Sequence, residues 1–229
     1  MNKRFLLQSA VCGFLLSGCR PGGVGESAPA ASDPVTVVVC LDGSRSYRVL
    51  EKAKADAIRV VKGLGPSSRV FCRWITDQSD GSECVIFSAI IPSAPEPLKN
   101  PFDLRARQRI LRQQKLVSDF STTVSLTLKQ AARPNSRGTD IWGALFAAGQ
   151  RLREAPHRRR LLLMSDLNDT CARYYPGIWL PDVEVWVLDY QSPGASDAAT
   201  RGFWTEAMIR RGARSVRFIL ADDPAWELQ

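Results

Sequence analysis

The chain alternates between short apolar runs and longer stretches in which apolar residues recur at helical spacing. The apolar runs are rich in Val, Ile and Leu, which is typical of strands covered on both faces of a parallel sheet. They occupy residues 35–41, 69–75, 84–91, 161–164, 183–188 and 216–220. Helical spacing occupies residues 46–62, 103–132, 140–154 and 203–211, and the second stretch is open to an interruption near Ser121. This alternation predicts an α/β fold with helices on both faces of the sheet.

One turn sets the third run apart from the others. Asp80-Gly81, between the second and third runs, is a typical hairpin pair, so the third strand is predicted to be antiparallel to the second. The expected fold class is therefore α/β with a mostly parallel central sheet, one antiparallel edge strand and helices on both faces. The chain has 229 residues and no internal repeat, and we expect a single domain over residues 35–229.

The first residues read as a targeting segment. Lys3 and Arg4 precede an apolar stretch over residues 5–16, which is too short for a permanent membrane span. The stretch ends in Leu16-Ser17-Gly18-Cys19, which resembles the lipobox of bacterial lipoproteins. The resemblance implies a lipoprotein signal peptide over residues 1–18 and a lipidated Cys19. A soluble secreted protein with a chance cysteine is the alternative.

Residues 19–34 are rich in Gly, Ala, Ser and Pro and are expected to form a flexible tether from the lipidated cysteine. Residue 20 is Arg and not Asp, which by resemblance to lipoproteins of diderm bacteria implies the outer membrane. The expected localisation is the cell envelope, lipid-anchored in the outer membrane and facing the periplasm.

Composition and charge narrow the class of partner. The chain is 45% hydrophobic and 24% charged, with a formal net charge of +8. No nucleic-acid-binding motif accompanies this charge, so we expect a solvated arginine-rich surface and no nucleic-acid partner. A further interpretation is electrostatic: two groups of arginines would touch anionic lipid headgroups or acidic polymers. These groups are Arg105, Arg107, Arg109 and Arg112, and Arg158, Arg159 and Arg160.

Four cysteines follow the tether: Cys40, Cys72, Cys84 and Cys171. The expected compartment is oxidising, so disulfides are permitted, and the sequence leaves all three pairings open. Cys40 lies inside an apolar run and is expected to be a small buried residue.

Polar side chains follow two of the predicted strands and precede one helix. Asp42, Ser44 and Ser46 come after the first strand, with Asp42 expected just beyond its end, and Asp166 comes after the fourth. Thr139 precedes the helix over residues 140–154. If the first and fourth strands are neighbours, these side chains lie at one edge of the sheet, where α/β proteins bind ligands. Hard oxygen donors of this kind suit Mg²⁺, Mn²⁺ or Ca²⁺.

These residues resemble the metal-ion-dependent adhesion site (MIDAS) of von Willebrand factor type A (vWA) domains. The match consists of Asp42-x-Ser44-x-Ser46, Thr139 in "GTDIWGAL" and Asp166 in "LLLMSD", in the family's order. The resemblance implies a Rossmann-like vWA fold with a Mg²⁺ (or Mn²⁺) ion. The hydroxyls of Ser44, Ser46 and Thr139 would bind this ion, while Asp42 and Asp166 would act mainly through water. A protein partner would supply an Asp or Glu carboxylate to an open position on the metal.

The implied function is a metal-dependent protein-binding module, an adhesion or scaffold protein rather than an enzyme. The family usually ends in a long helix, whereas only nine residues including Pro224 follow Leu220 here. Switching driven by such a helix is therefore not expected.

Other interpretations stay open at this point. Ser44 or Ser46 would cap the first helix, and Asp166 would bond a loop. The aromatic residues Tyr174, Tyr175 and Trp179 would either flank the metal as a partner-contact surface or cover the core.

The alternative function is a Mg²⁺-dependent, phosphatase-like hydrolase of the cell envelope. A strand ending in Asp is similar to haloacid dehalogenase-like phosphatases, but Ser44 stands where those enzymes place a second Asp. The sole histidine, His157, precedes a strand and is expected at the opposite edge.

Overall fold

The computed structural model describes residues 33–93, 102–191 and 194–221, which belong to one compact unit, Ala31–Gln229. The strands are β1 (Val35–Asp42), β2 (Arg69–Ile75), β3 (Val85–Ile90), β4 (Arg158–Met164), β5 (Val183–Tyr190) and β6 (Ser215–Leu220). The helices are α1 (Leu50–Gly63), α2 (Leu104–Gln130), α3 (Ile141–Arg153) and α4 (Asp197–Ile209). The predicted signal peptide, Cys19 and nearly all of the tether lie outside the described residues.

The strands form one sheet in the order β3-β2-β1-β4-β5-β6. All neighbouring pairs are parallel except β2 and β3, which are antiparallel. This is the strand order of doubly wound, Rossmann-like sheets. The predicted fold class is confirmed, including the antiparallel edge strand and the pairing of β1 with β4.

Parallel strands give the sheet two chemically different edges. The carboxyl edge holds the last residues of β1, β2 and β4, which are Asp42, Ile75 and Met164. The amino edge holds the first residues of the same strands. Any side chain just after β1, β2, β4 or β5 is therefore placed at the carboxyl edge.

The core consists of two apolar layers, one on each face of the sheet. Alternate residues of β1 point to opposite layers: Val37 and Val39 to one, Val38 and Cys40 to the other. Helices α1 and α2 cover the first layer, and α3 and α4 cover the second. Strands buried on both faces explain why the runs read as continuously apolar.

Helix α1 begins at Leu50, four residues later than predicted. Residues 43–49 form turns instead, because Tyr47 is fully buried and its hydroxyl donates to the Asp189 carbonyl (3.4 Å). The N-cap of α1 is Val49, which makes no side-chain capping hydrogen bond. The interpretation that Ser44 or Ser46 caps this helix is therefore wrong.

Other boundaries also shift. Helix α2 runs without a break through Ser121, whose carbonyl accepts a hydrogen bond from the Ser125 hydroxyl (2.7 Å). Strand β4 begins three residues earlier than predicted, because Arg158 and Arg160 both pair with Glu184 on β5. Helix α4 begins at Asp197, six residues earlier than predicted. No helix of the described residues combines the length and apolarity needed to cross a bilayer.

The four cysteines of the described domain are free thiols. Cys40, Cys72 and Cys84 are buried, and Cys171 is partly exposed. Burial raises the pKa of Cys40 to about 12, against a smaller opposing effect of Arg73. Cys40 is therefore the small buried residue that the sequence predicts.

Candidate metal centre

The centre begins with Asp42, the last residue of β1. Its side chain is fully buried, not placed beyond the strand as expected. Oδ1 accepts a hydrogen bond from the Ser44 backbone N–H (2.8 Å), and Oδ2 accepts one from the Ser165 hydroxyl (2.6 Å). Burial raises the pKa of Asp42, the bonds from Ser165 and Ser44 oppose this, and the charge of Asp166 adds to it.

The loop after Asp42 presents two hydroxyls. The Oγ atoms of Ser44 and Ser46 lie 3.0 Å apart. The Gly43 N–H donates to the Ile75 carbonyl (2.9 Å), which fixes the loop to the end of β2. A Cβ on Gly43 would lie 2.4 Å from Pro134 Cγ, so only glycine lets the loop pass beneath the segment that leads to α3.

Two hydrogen bonds between the Thr139 backbone and Thr170 fix the position of Thr139. Its N–H donates to Thr170 Oγ1 (2.9 Å), and its carbonyl accepts from the Thr170 N–H (2.9 Å). Thr139, Ser44 and Ser46 line one cavity of about 550 Å³. The structure thus brings together the three hydroxyl residues that the sequence singles out.

Asp166 lies two residues after the end of β4. It shares a second cavity of about 730 Å³ with Ser46, and its Oδ1 accepts from the Asn168 N–H (3.0 Å). Asn168 lines both cavities. Ser46 therefore lines a cavity with Asp166 and another with Thr139, while Asp42 is buried.

This donor set fits a hard divalent cation. It contains three hydroxyls and two carboxylates, which are ligands that such ions prefer. The negative charges of Asp42 and Asp166 repel each other, and a bound cation would reduce this repulsion. No group of three or more His, Cys, Asp and Glu side chains suited to a metal occurs among the described residues. A cation here would thus depend largely on neutral oxygens and water.

The three aromatic residues occupy different places. Tyr174 is 87% exposed. The ring of Tyr175 stacks on Phe146 with centroids 5.5 Å apart, and its hydroxyl donates to Asp140 Oδ2 (2.6 Å). The Trp179 carbonyl lies against Gly149, about 12 Å along α3 from the beginning of that helix.

Two carboxylates that the sequence pattern did not single out hold the beginning of α3, next to Thr139. Asp140 caps α3, since its Oδ1 accepts from the Gly143 N–H (2.8 Å). Asp169 Oδ2 accepts from the Ile141 N–H (2.9 Å), and its Oδ1 accepts from the Cys171 N–H (3.1 Å). The available signal was Asp140 at the start of a helical pattern, because Asp is a typical N-cap residue.

No family model and no curated protein matches the chain. Among solved structures it is similar to a von Willebrand factor type A protein from Catenulispora acidiphila, with 16% identity and a TM-score of 0.35. The match covers 70% of this chain and 35% of that chain.

Proposed function

We propose that this chain is a membrane-anchored, protein-binding module of the vWA type. Its carboxyl edge would bind one Mg²⁺ or Mn²⁺ ion and, through it, an Asp or Glu side chain of a protein partner. Lipidated Cys19 would hold it in the cell envelope, at the outer membrane and facing the periplasm. It would act as an adhesion or scaffold protein and not as an enzyme.

One observation carries the metal site. Three hydroxyl side chains from two separate loops, Ser44, Ser46 and Thr139, line the same cavity. Two carboxylates accompany them, and one of these, Asp42, already has both oxygens occupied by hydrogen bonds. Asp42 would therefore act on a cation through Ser44 and water more than by direct contact.

The partner chemistry follows from charge. A cation held mainly by neutral hydroxyls and water keeps most of its charge, so it attracts an incoming carboxylate strongly. By linkage, a bound partner carboxylate would tighten the metal as much as the metal tightens the partner.

The alternative, a Mg²⁺-dependent phosphatase-like hydrolase, fits this geometry less well. A nucleophilic carboxylate needs a free oxygen that substrate can reach, whereas Asp42 is 0% exposed and bonded at both oxygens. His157 directly precedes β4, at the amino edge of the sheet, so no histidine serves as a base beside Asp42.

Calorimetric titration of Mn²⁺ into residues 31–229 tests the metal site. We expect wild type to bind one ion weakly and Asp42→Asn to bind none, because the variant keeps the size of the side chain but lacks its charge. Asp42→Ala is a poorer choice, because it would leave the Ser44 N–H and the Ser165 hydroxyl without their acceptor. Each unpaired donor would lower the free energy of unfolding by about 1–3 kcal/mol.

Asp103→Asn is the matched control. It removes one carboxylate at the N-cap of α2 and should leave Mn²⁺ binding unchanged. Equal binding by wild type and Asp42→Asn would contradict the proposal. So would the absence of binding by wild type at millimolar metal.

A further inference from the structure

The first half of α2 is a long, poorly buried arm. The helix has 27 residues and is about 40 Å long. Its buried residues are Val124 and Leu128, both in the last third. Over residues 104–118, which we call the α2 arm, every side chain is exposed or at most half-buried. Packing in the core therefore does not account for the composition of this arm.

The charge of the α2 arm is entirely positive. It contains no Asp or Glu and five cations: Arg105, Arg107, Arg109, Arg112 and Lys115. Lys115 pairs with Asp119 (2.9 Å), just beyond the arm. The ion pairs found among the described residues include none of the four arginines. By contrast, Arg158 and Arg160 are both engaged by Glu184.

Two exposed leucines lie between these arginines. Leu104 and Leu111 are 69% and 64% exposed and, at seven residues apart, share one face of the helix. Arg105 and Arg112 flank this face on one side, and Arg107 flanks it on the other. A pair of apolar side chains bordered by cations is the pattern of a helix that lies at an anionic bilayer surface.

The arm also lies at the amino edge of the sheet, where β1 begins. Gln113 Nε2 donates to the Ser93 carbonyl (2.5 Å), and Ser93 follows the end of β3 at the amino edge. The other end of α2 leads to Arg133, which bonds the Tyr47 carbonyl near the carboxyl edge. Residues 104–112 therefore extend past the amino edge, where β1 begins.

We propose that the α2 arm binds anionic phospholipid headgroups of the membrane that carries the anchor. This inference takes the anchor at Cys19 from the proposed function but is independent of the metal. Arg105, Arg107 and Arg112 pair with lipid phosphates, while Leu104 and Leu111 enter the headgroup region. The carboxyl edge, with the candidate metal centre, then points away from the membrane towards a partner.

Amide hydrogen exchange of the full lipidated chain on vesicles tests the proposal. One set of vesicles contains phosphatidylcholine alone, and the other contains phosphatidylcholine with one third phosphatidylglycerol. Because the arm has few tertiary contacts, its amides open easily and bound lipid should slow their exchange. We expect exchange over residues 104–118 to slow roughly tenfold or more on the anionic vesicles. This protection should disappear at high salt.

Two triple variants with equal loss of charge provide the comparison. Arg105→Gln, Arg107→Gln and Arg112→Gln together should abolish the protection. Arg45→Gln, Arg48→Gln and Arg137→Gln, which remove three exposed arginines near the metal cavities, should preserve it. Leu104→Ser with Leu111→Ser should weaken the protection, since an electrostatic contact alone does not use the leucines.

Three results would overturn the inference. The first is equal exchange of the arm on neutral and anionic vesicles. The second is protection of residues 44–48 in place of the arm. The third is protection by soluble polyglutamate but not by anionic lipid, which would assign the arm to an acidic macromolecule.

Failure of the anchor is distinguishable from failure of the arm. If Cys19 carries no lipid, intact-mass measurement shows it and the chain does not float with neutral vesicles. If the arm binds anionic lipid, this unlipidated chain should float with the anionic vesicles and not with the neutral ones. If it floats with neither kind of vesicle, the proposed binding of lipid by the arm is wrong. EDTA should change none of these results, because the metal lies at the other edge.

Discussion

Asp189, near the end of β5, is a buried carboxylate in a strained backbone position. It has φ of 52° and is 2% exposed. Oδ1 pairs with Lys52, whereas Oδ2 is buried and accepts no hydrogen bond from the described residues. Burial raises the pKa of Asp189 to about 6, the charge of nearby Asp56 adds to this, and Lys52 opposes it. Its ionisation should therefore weaken the fold.

The pH dependence of stability tests this residue. Between pH about 4 and about 6 the folded chain holds a proton on Asp189 that the unfolded chain has lost. This carboxyl thus makes the free energy of unfolding fall as the pH rises through that window, by at most about 3 kcal/mol. In Asp189→Asn this part of the decline should be absent.

Urea unfolding of residues 31–229 at several pH values between 4 and 7 measures the effect. Asp119→Asn, which removes a carboxylate with a 58% exposed side chain, is the control and should leave the decline in place. An unchanged slope in Asp189→Asn would show that this carboxyl does not titrate in the window.

At the scale of elements, α3 is the helix that connects the core to the candidate site. Its N-terminus carries Asp140, with Thr139 just before it, and its middle packs closely against the loop that leads to β5. At Gly149 an added Cβ would lie 2.7 Å from the Trp179 carbonyl oxygen. In α4, an added Cβ on Gly202 would meet nothing within 4 Å.

The two glycines should respond in opposite directions to the same change. Gly202→Ala should stabilise the domain by about 0.5–1 kcal/mol, because alanine favours a helix and nothing obstructs it. Gly149→Ala should destabilise it by about 1–3 kcal/mol, since the loop or the helix must move away. Urea unfolding of both variants gives the two values. Stabilisation by Gly149→Ala would mean that the loop yields without cost.

At the scale of the whole molecule, the sheet separates two kinds of chemistry. Oxygen donors gather at the carboxyl edge, and the α2 arm extends past the amino edge. A parallel sheet produces this separation, because residues after strands and residues before strands lie at opposite edges. A protein that is held by one edge can then offer the other to a partner.

The cysteines provide a test of the whole fold. Cys40, Cys72 and Cys84 are buried, whereas Cys171 is partly exposed. We expect a thiol reagent at neutral pH to modify Cys171 alone in the native domain, and slowly, because burial also raises its pKa. All four should react after unfolding in urea.

Peptide mapping by mass spectrometry assigns the modified thiols. Cys171→Ser should make the native domain unreactive, which serves as the control. Rapid native modification of Cys40, in the centre of β1, would contradict the burial of that strand.

The sequence by itself determined the class of fold and the places in that fold where the candidate residues lie. Strands buried on both faces are continuously apolar, and helices repeat their apolar residues every three or four positions, so both patterns are local. Asp42, Ser44, Ser46 and Asp166 were placed at the carboxyl edge because residues that follow parallel strands lie there, and Thr139 was placed there because it precedes a helix. Their role in binding a metal stays a prediction. Boundaries such as the start of α1 were wrong by several residues, because distant contacts of Tyr47 decide them.

The tertiary structure alone decided which of these residues are buried, paired or free. Ser165 bonds Asp42 across 123 residues of chain, and Lys52 pairs with Asp189 across 137. The spacing of apolar residues along the chain does not predict such contacts, because they depend on the strand order and on how the helices lie over the sheet. The tertiary structure also decided how the two groups of arginines differ, although they look alike in sequence. Arg158 and Arg160 form ion pairs with Glu184. The arginines of the α2 arm reach solvent instead, because helix α2 is longer than the sheet that it covers.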